Sequence, residues 1–206
     1  MLLKINPDNP EMRKINQVVD CLSRGGIIIY PTDTVYGLGC DIHNQKAVER
    51  VCRLKGVNPR KVNLSFICND MSQLSDYAVQ FDNRVFKTMK RSLPGPYTFI
   101  LNANNNVPKL FKNNKKTVGI RIPDNNIAQT IVQELGRPVL STSLKVEDDI
   151  SEYLTDPIDM HDQFKKLVDI VIDGGISGQI PSTIVDFTSD EPAIIREGAG
   201  ETELFY

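Results

Sequence analysis

The sequence predicts an α/β fold, a single domain over 1–206 built on a twisted mixed sheet with helices on both sides. Three observations carry that prediction. Short β-branched runs such as Ile27-Ile28-Ile29 alternate with segments whose apolar residues recur at helical spacing. A chain of 206 residues can bury one good core, whereas two full domains would leave each half small. Pro, Gly and Ser cluster nowhere strongly enough to mark a linker.

Taken in order, Asp8-Asn9-Pro10-Glu11 reads as a helix start with proline in the first turn, and Ile15, Val18, Val19 and Leu22 continue that helix to a stop at Gly25-Gly26. Residues 27–30 read as a buried strand that delivers its carboxyl end into Pro31-Thr32-Asp33-Thr34. Ala47, Val48, Val51 and Leu54 mark a second helix ending near Gly56. Further strands are expected at 64–68, 97–101, 117–122, 138–141, 168–172, 182–187 and 193–196, and helices at 83–90, 126–135 and 156–167. The polar stretch Asn102 to Asn106 reads as a turn, and Lys145 to Thr155 as a mobile acidic loop.

The net charge of −2 conceals an uneven distribution. Residues 1–145 hold 21 Lys and Arg against 11 Asp and Glu, while 146–206 hold 3 against 15. Such polarity suits a surface for phosphate-rich partners, or else ordinary solvated faces if folding interleaves the two segments. No apolar run approaches the roughly 20 residues that cross a bilayer. The first residues lack a basic segment followed by a sustained apolar one, so a cytoplasmic protein with no membrane association is expected. Cys21, Cys40, Cys52 and Cys68 show no CxxC spacing and read as buried thiols. The two histidines, His43 and His161, stand apart from other ligand types, and no metal site is expected.

The candidate site residues are small polar or basic groups where strands end, which is where open α/β sheets place ligands. Thr32, Asp33 and Thr34 could offer hydroxyls to a ligand or simply form a turn and helix cap. Lys55 closes a helix, where a cation also complements the dipole. Arg121 alternates with apolar residues on its strand and therefore needs an anionic partner: a bound phosphate or carboxylate, or an internal aspartate. Ser141-Thr142-Ser143 ends another strand and Ser182-Thr183 begins a third, while Gly174-Gly175 and Gly198-Ala199-Gly200 permit close backbone approach. No Walker P-loop, Rossmann glycine fingerprint, GxSxG elbow or HExxH is present, so those common chemistries fail at their motifs.

The run Tyr30-Pro31-Thr32-Asp33-Thr34-Val35-Tyr36-Gly37-Leu38-Gly39-Cys40 resembles the opening signature of the YrdC family of threonylcarbamoyl-adenylate-forming proteins. The resemblance continues in order through Leu54-Lys55, Pro94 to Phe99, Gly119 to Pro123, Pro138 to Ser143, Pro181 to Asp186 and Arg196-Glu197-Gly198. It implies a YrdC-like fold with a basic cavity, and an enzyme that makes threonylcarbamoyl-AMP from ATP with Mg²⁺, threonine and bicarbonate for tRNA modification. Carried over by motif, it places Thr32, Lys55, Ser143, Ser182 and Arg196 around the substrate cavity, with Arg121 near it. No tightly bound cofactor is implied.

Two departures from the synthase pattern look like the YciO branch of the family. A Lys-x-Arg pair is replaced by Lys55-Gly56-Val57, and a Ser-x-Asn pair by Ser143-Leu144-Lys145. A lost guanidinium fork removes charge-assisted hydrogen bonds worth about 1.5–3 kcal/mol each. Arg60 or Lys61 could return charge, but without that geometry. Two functions follow: a synthase, weakened at these positions, or a non-catalytic module that binds tRNA or double-stranded RNA. The Lys109, Lys112, Lys115 and Lys116 cluster favours the second.

Overall fold

The computed structural model describes residues 1–56, 64–111, 116–144, 153–189 and 191–205. Along the chain these form β1 (Leu2–Lys4), α1 (Met12–Ser23), β2 (Ile28–Tyr30), β3 (Gly37–Asp41) and α2 (Gln45–Leu54). Next come β4 (Ser65–Ile67), α3 (Met71–Ser75), α4 (Asn83–Ser92), β5 (Tyr97–Asn102), β6 (Thr117–Arg121) and α5 (Asn126–Leu135). The last are β7 (Val139–Ser143), α6 (Pro157–Phe164), β8 (Ile170–Asp173), β9 (Thr183–Asp186) and β10 (Ala193–Arg196).

All ten strands join one sheet in the order β1-β8-β2-β3-β7-β4-β6-β5-β9-β10. It is mixed: β1/β8, β8/β2, β4/β6 and β5/β9 run parallel, and the other neighbours antiparallel. Successive side chains of a strand point to opposite faces, and the core divides accordingly. Ile28, Tyr30, Ile67, Val139, Ile170 and Ile172 pack with Ile15, Val18 and Leu22 of α1 and Ile127, Ile131 and Val132 of α5. Their alternates Ile27, Ile29, Phe66, Leu140 and Val171 pack on the other face with Val48 and Val51 of α2, Leu74 of α3, Met89 of α4 and Met160 of α6. Helices therefore cover both faces, as expected.

The helix starts are set locally. Asn44, Asp70, Asp82, Asn125 and Asp156 each accept a backbone N–H of the first turn, a contribution of about 1 kcal/mol apiece.

Several boundaries differ from the sequence reading. Pro10 precedes the N-cap Glu11 rather than occupying the first turn of α1. The helix expected over 156–167 ends at Phe164, where turn bonds from Leu167 N and Val168 N to the Phe164 carbonyl close it before β8. β1 and α3 are too short to carry a periodic signal. β3 was hidden by its glycines, which disfavour strands. The Tyr30 ring explains them: a Cβ at Gly37 would lie 3.0 Å from it, and a Cβ at Gly39 would lie 2.9 Å from it and 2.6 Å from the Leu140 carbonyl oxygen. The turn expected over 102–106 is narrower, because Asn102 ends β5 and Ala103 bridges Ala78; Asn104 Nδ2 donates to the Asp76 and Ala78 carbonyls at 2.8 and 3.1 Å. Of the loop read over 145–155, residues 145–152 lie outside the described residues.

Candidate functional site

The covered face of the central sheet is largely apolar: Phe66, Leu140, Ile120, Phe99 and Val185 are each at most 1 % exposed. The opposite side of the same strands has a different composition. The registers Gly39↔Ser141, Ser141↔Ser65 and Ser65↔Gly119 set one row of small residues across β3, β7, β4 and β6. Beside it run Thr98 of β5, Ile184 of β9 and Arg196 of β10, aligned by Thr98↔Ile184 and Arg196↔Ile184. Residues this small leave a trough, and beyond the reach of α1 and α5 it stays open as a cleft of about 130 Å³. That is an order of magnitude more than a single water requires. Thr32, Val35, Tyr36 and Gly37 wall one side, and Pro181 and Ser182 the other.

The candidate groups do sit at strand ends, Ser143 closing β7, Arg121 β6 and Arg196 β10, with Thr32 just after β2 and Ser182 just before β9, but these ends do not share one edge of the sheet. The reason is the antiparallel placement of β7 between β3 and β4, which leaves the central strands no common carboxyl edge.

At the floor, Arg121 is buried, with 9 % of its side chain exposed, and forms an ion pair with Asp33, 10 % exposed. Of the two partners left open by the sequence, the protein supplies the aspartate. The same Nη2 donates to Thr34 Oγ1 at 2.8 Å and lies 3.4 Å from Thr32 Oγ1. Thr32 Oγ1 in turn donates to the Val35 carbonyl at 2.7 Å and accepts from Thr34 N at 3.1 Å. The Thr32-Asp33-Thr34 segment is thus a turn into β3 that grips an arginine, and not a helix cap. Two buried atoms of the pair, Asp33 Oδ2 and Arg121 Nε, have no hydrogen-bond partner among the described residues. Leaving such groups unsatisfied costs about 1–3 kcal/mol each.

Across the cleft, Arg196 Nε and Nη2 donate to the Ser182 carbonyl at 3.1 and 2.7 Å. Ser182 Oγ is 2.8 Å from Thr98 Oγ1. Burial holds the half-buried Arg196 guanidinium below its ordinary value; nearby Tyr153 opposes that shift, and the charge on Arg121 adds to it. The fully buried Thr183 hydroxyl fixes the following segment, donating to the Gly200 carbonyl at 2.7 Å and accepting from Gly198 N and Gly200 N at 3.0 Å. Close approach explains these glycines: a Cβ at Gly198 would sit 2.2 Å from the Pro181 carbonyl oxygen, and one at Gly200 2.3 Å from the Tyr97 ring.

Lys55, the C-cap of α2, donates from Nζ to the Ser143 carbonyl at 3.1 Å, at the β7 end of the cleft. Tyr36 closes the wall: its hydroxyl donates to the Gly175 carbonyl at 2.7 Å and accepts from Gly174 N at 3.2 Å, and burial pushes its pKa up to about 12. Tyr30 donates to Ser141 Oγ at 2.6 Å.

Of the sequence-predicted site residues, Thr32, Arg121, Ser143, Ser182 and Arg196 line one cleft, and Lys55 reaches its edge. Val57, Lys145, Lys112 and Lys115 lie outside the described residues. Lys109 and Lys116 are exposed, but Lys116 precedes β6 while Arg121 ends it, roughly 16 Å along the strand. Ser65 and Thr98 escaped the sequence reading. The available signal was a lone small polar residue within Leu64-Ser65-Phe66-Ile67 and Tyr97-Thr98-Phe99.

In sequence and fold the chain is similar to known proteins. The Sua5/YciO/YrdC family model, described as telomere recombination, matches residues 20–198. YciO of Escherichia coli strain K12 is 45 % identical over 203 residues, covering 98 % of this chain and 97 % of that protein. The threonylcarbamoyl-AMP synthase of Vibrio vulnificus strain YJ016 is 30 % identical over 191 residues, covering 89 % and 98 %. Among solved structures, E. coli YciO superposes with a TM-score of 0.93 at 42 % identity, covering 100 % of this chain and 99 % of that one. P. abyssi Sua5 complexed with L-threonine superposes with a TM-score of 0.87 at 27 % identity, covering 96 % of this chain and 57 % of that one.

Proposed function

The chain belongs to the Sua5/YciO/YrdC family, and from that premise we propose that its cleft binds ATP with Mg²⁺, threonine and bicarbonate and forms threonylcarbamoyl-AMP for tRNA modification. One observation carries the reading: among the described residues lining the cleft are two guanidinium groups and a set of hydroxyls, while the Asp33 carboxylate at the floor is not in the lining and is paired with Arg121. The reactants fit that charge. The threonine amine adds to bicarbonate, giving a carbamate and water. A carbamate oxygen then attacks the α-phosphorus of ATP, and the bond to the β-phosphate breaks to release pyrophosphate. Anion meets anion in that step, so fixed positive charge lowers the barrier, with positioning supplying most of the rest. Arg121, Arg196 and Lys55 supply the charge, and Thr32, Ser143 and Ser182 the hydrogen bonds.

The test is pyrophosphate release from ATP in the presence of threonine and bicarbonate, paired with calorimetric titration of ATP and Mg²⁺. Lys55→Ala and Arg196→Ala should each weaken ATP binding about tenfold or more. Saturable binding without any threonine-dependent pyrophosphate would remove the synthase reading. A second reading, contact with tRNA or double-stranded RNA without chemistry, is favoured by the exposure of Lys109 and Lys116.

A further inference from the structure

Arginine grips an oxyanion with two parallel hydrogen bonds through Nε with Nη2, or through Nη1 with Nη2. Both forks need Nη2, and in this cleft the protein has taken it twice. Arg121 Nη2 faces three acceptors, on Asp33, Thr34 and Thr32, with only two hydrogens to give. Arg196 Nη2 is held by the Ser182 carbonyl at 2.7 Å, with Nε on the same oxygen. What remains is Nη1 on Arg196, and Nη1 beside the buried Nε on Arg121; among the described residues neither Nη1 has a hydrogen-bond partner, and neither is among the buried unsatisfied atoms.

We propose that Asp33 is a positioning residue, which with Thr34 anchors Arg121 Nη2 and so leaves Nη1 of Arg121, in the cleft that Arg196 also lines, to hold a phosphate or carboxylate group. The inference rests on the reading that the cleft takes anions. The orphaned atoms support it. Nε–H of Arg121 and Oδ2 of Asp33 belong to the same pair, and a pair arranged only for its own stability would have joined them as its second hydrogen bond. Asp33 instead meets the arginine through one nitrogen, and that contact fixes which edge of the guanidinium the ligand sees.

The sign of one measurement separates positioning from mere neutralisation. Asp33→Asn adds one positive charge to the cleft. If Asp33 only balances charge, inorganic pyrophosphate binds the variant more tightly. If it positions Arg121, pyrophosphate binds at least tenfold more weakly despite the added charge. Thr34→Val removes an acceptor without changing charge and should weaken binding several-fold, which keeps the test open if Asp33→Asn fails to fold. Side-chain ¹⁵N spectra give a readout that needs no ligand: the Arg121 Nη resonances should be resolved by hindered rotation in the parent and merge in either variant. Tighter or unchanged pyrophosphate binding in a folded variant, or a freely rotating Arg121 in the parent, would overturn the proposal. A held Arg121 in a parent that binds neither pyrophosphate nor ATP would instead leave Asp33 as an anchor and remove the anion-cleft reading.

Discussion

At the scale of single residues, the cleft is a set of polar groups whose partners come mostly from the protein itself. Arg121 reads in the sequence as a cation needing an anion, because it interrupts an apolar alternation, and that much is legible from Gly119-Ile120-Arg121-Ile122 alone. Which anion is not legible, because Asp33 lies 88 positions away and meets it only through the fold. The departures at Val57 and Lys145 are equally local. Restoring the family pair with Val57→Arg and Lys145→Asn is expected to raise threonine-dependent pyrophosphate release about tenfold or more, the value of one recovered charge-assisted hydrogen bond. A double variant no faster than the parent would show that other groups limit the rate.

At the scale of elements, alternation decides which strand positions are core and which are site. Ser65 and Ser141 occupy positions where a strand with two covered faces would carry valine or isoleucine. Ser65→Val should therefore leave the urea midpoint unchanged or raise it, because β-branched side chains suit strands, while ATP binding falls as the trough fills. Preserved ATP affinity in that variant would mean the small-residue row is not a contact surface. The helices and most strands were readable because their apolar periods are long or flanked by caps, as in α5, whose bounds match the expectation of 126–135. β3 was unreadable because its glycines answer to a tyrosine on the neighbouring strand, a cross-strand demand that local propensity cannot register.

At the scale of the whole molecule, charge and burial make separate demands. If Lys109, Lys112, Lys115 and Lys116 contact RNA phosphates, log K for duplex RNA should fall linearly with log salt. Changing all four to glutamine should then flatten the slope by roughly 0.7–0.9 per lost contact. Identical slopes would leave them as solvated lysines. Burial makes a prediction for alkaline solution. Desolvation raises the thiols of Cys21, Cys40, Cys52 and Cys68 above 9.0 and the phenols of Tyr30, Tyr36, Tyr77 and Tyr97 above 10.0. Because the unfolded chain releases these protons first, the stability they contribute is complete below pH 9 and is lost as pH rises. Tyr36 alone, moved from 10.0 to about 12, accounts for about 3 kcal/mol between those values. Urea midpoints that stay level from pH 8 to pH 11 would contradict this.

The seat of β7 between β3 and β4 also has a consequence for the order in which the molecule comes into being. The Tyr30 hydroxyl meets Ser141 across 111 residues, and the amino terminus meets the Asp169 carbonyl across 168. A ribosome adding about 5–20 residues per second would finish the β2–β3 pair and then make it wait roughly 5–20 seconds for its next neighbour. Until then the β7-side edge of β3 is unpaired and prone to pairing with other chains. The two sides of the cleft emerge far apart in synthesis, Arg196 following Thr32 by 164 positions. If the cleft takes nucleotide as proposed, a nascent chain offers it no complete site, and nucleotide can hold only a chain that has already closed.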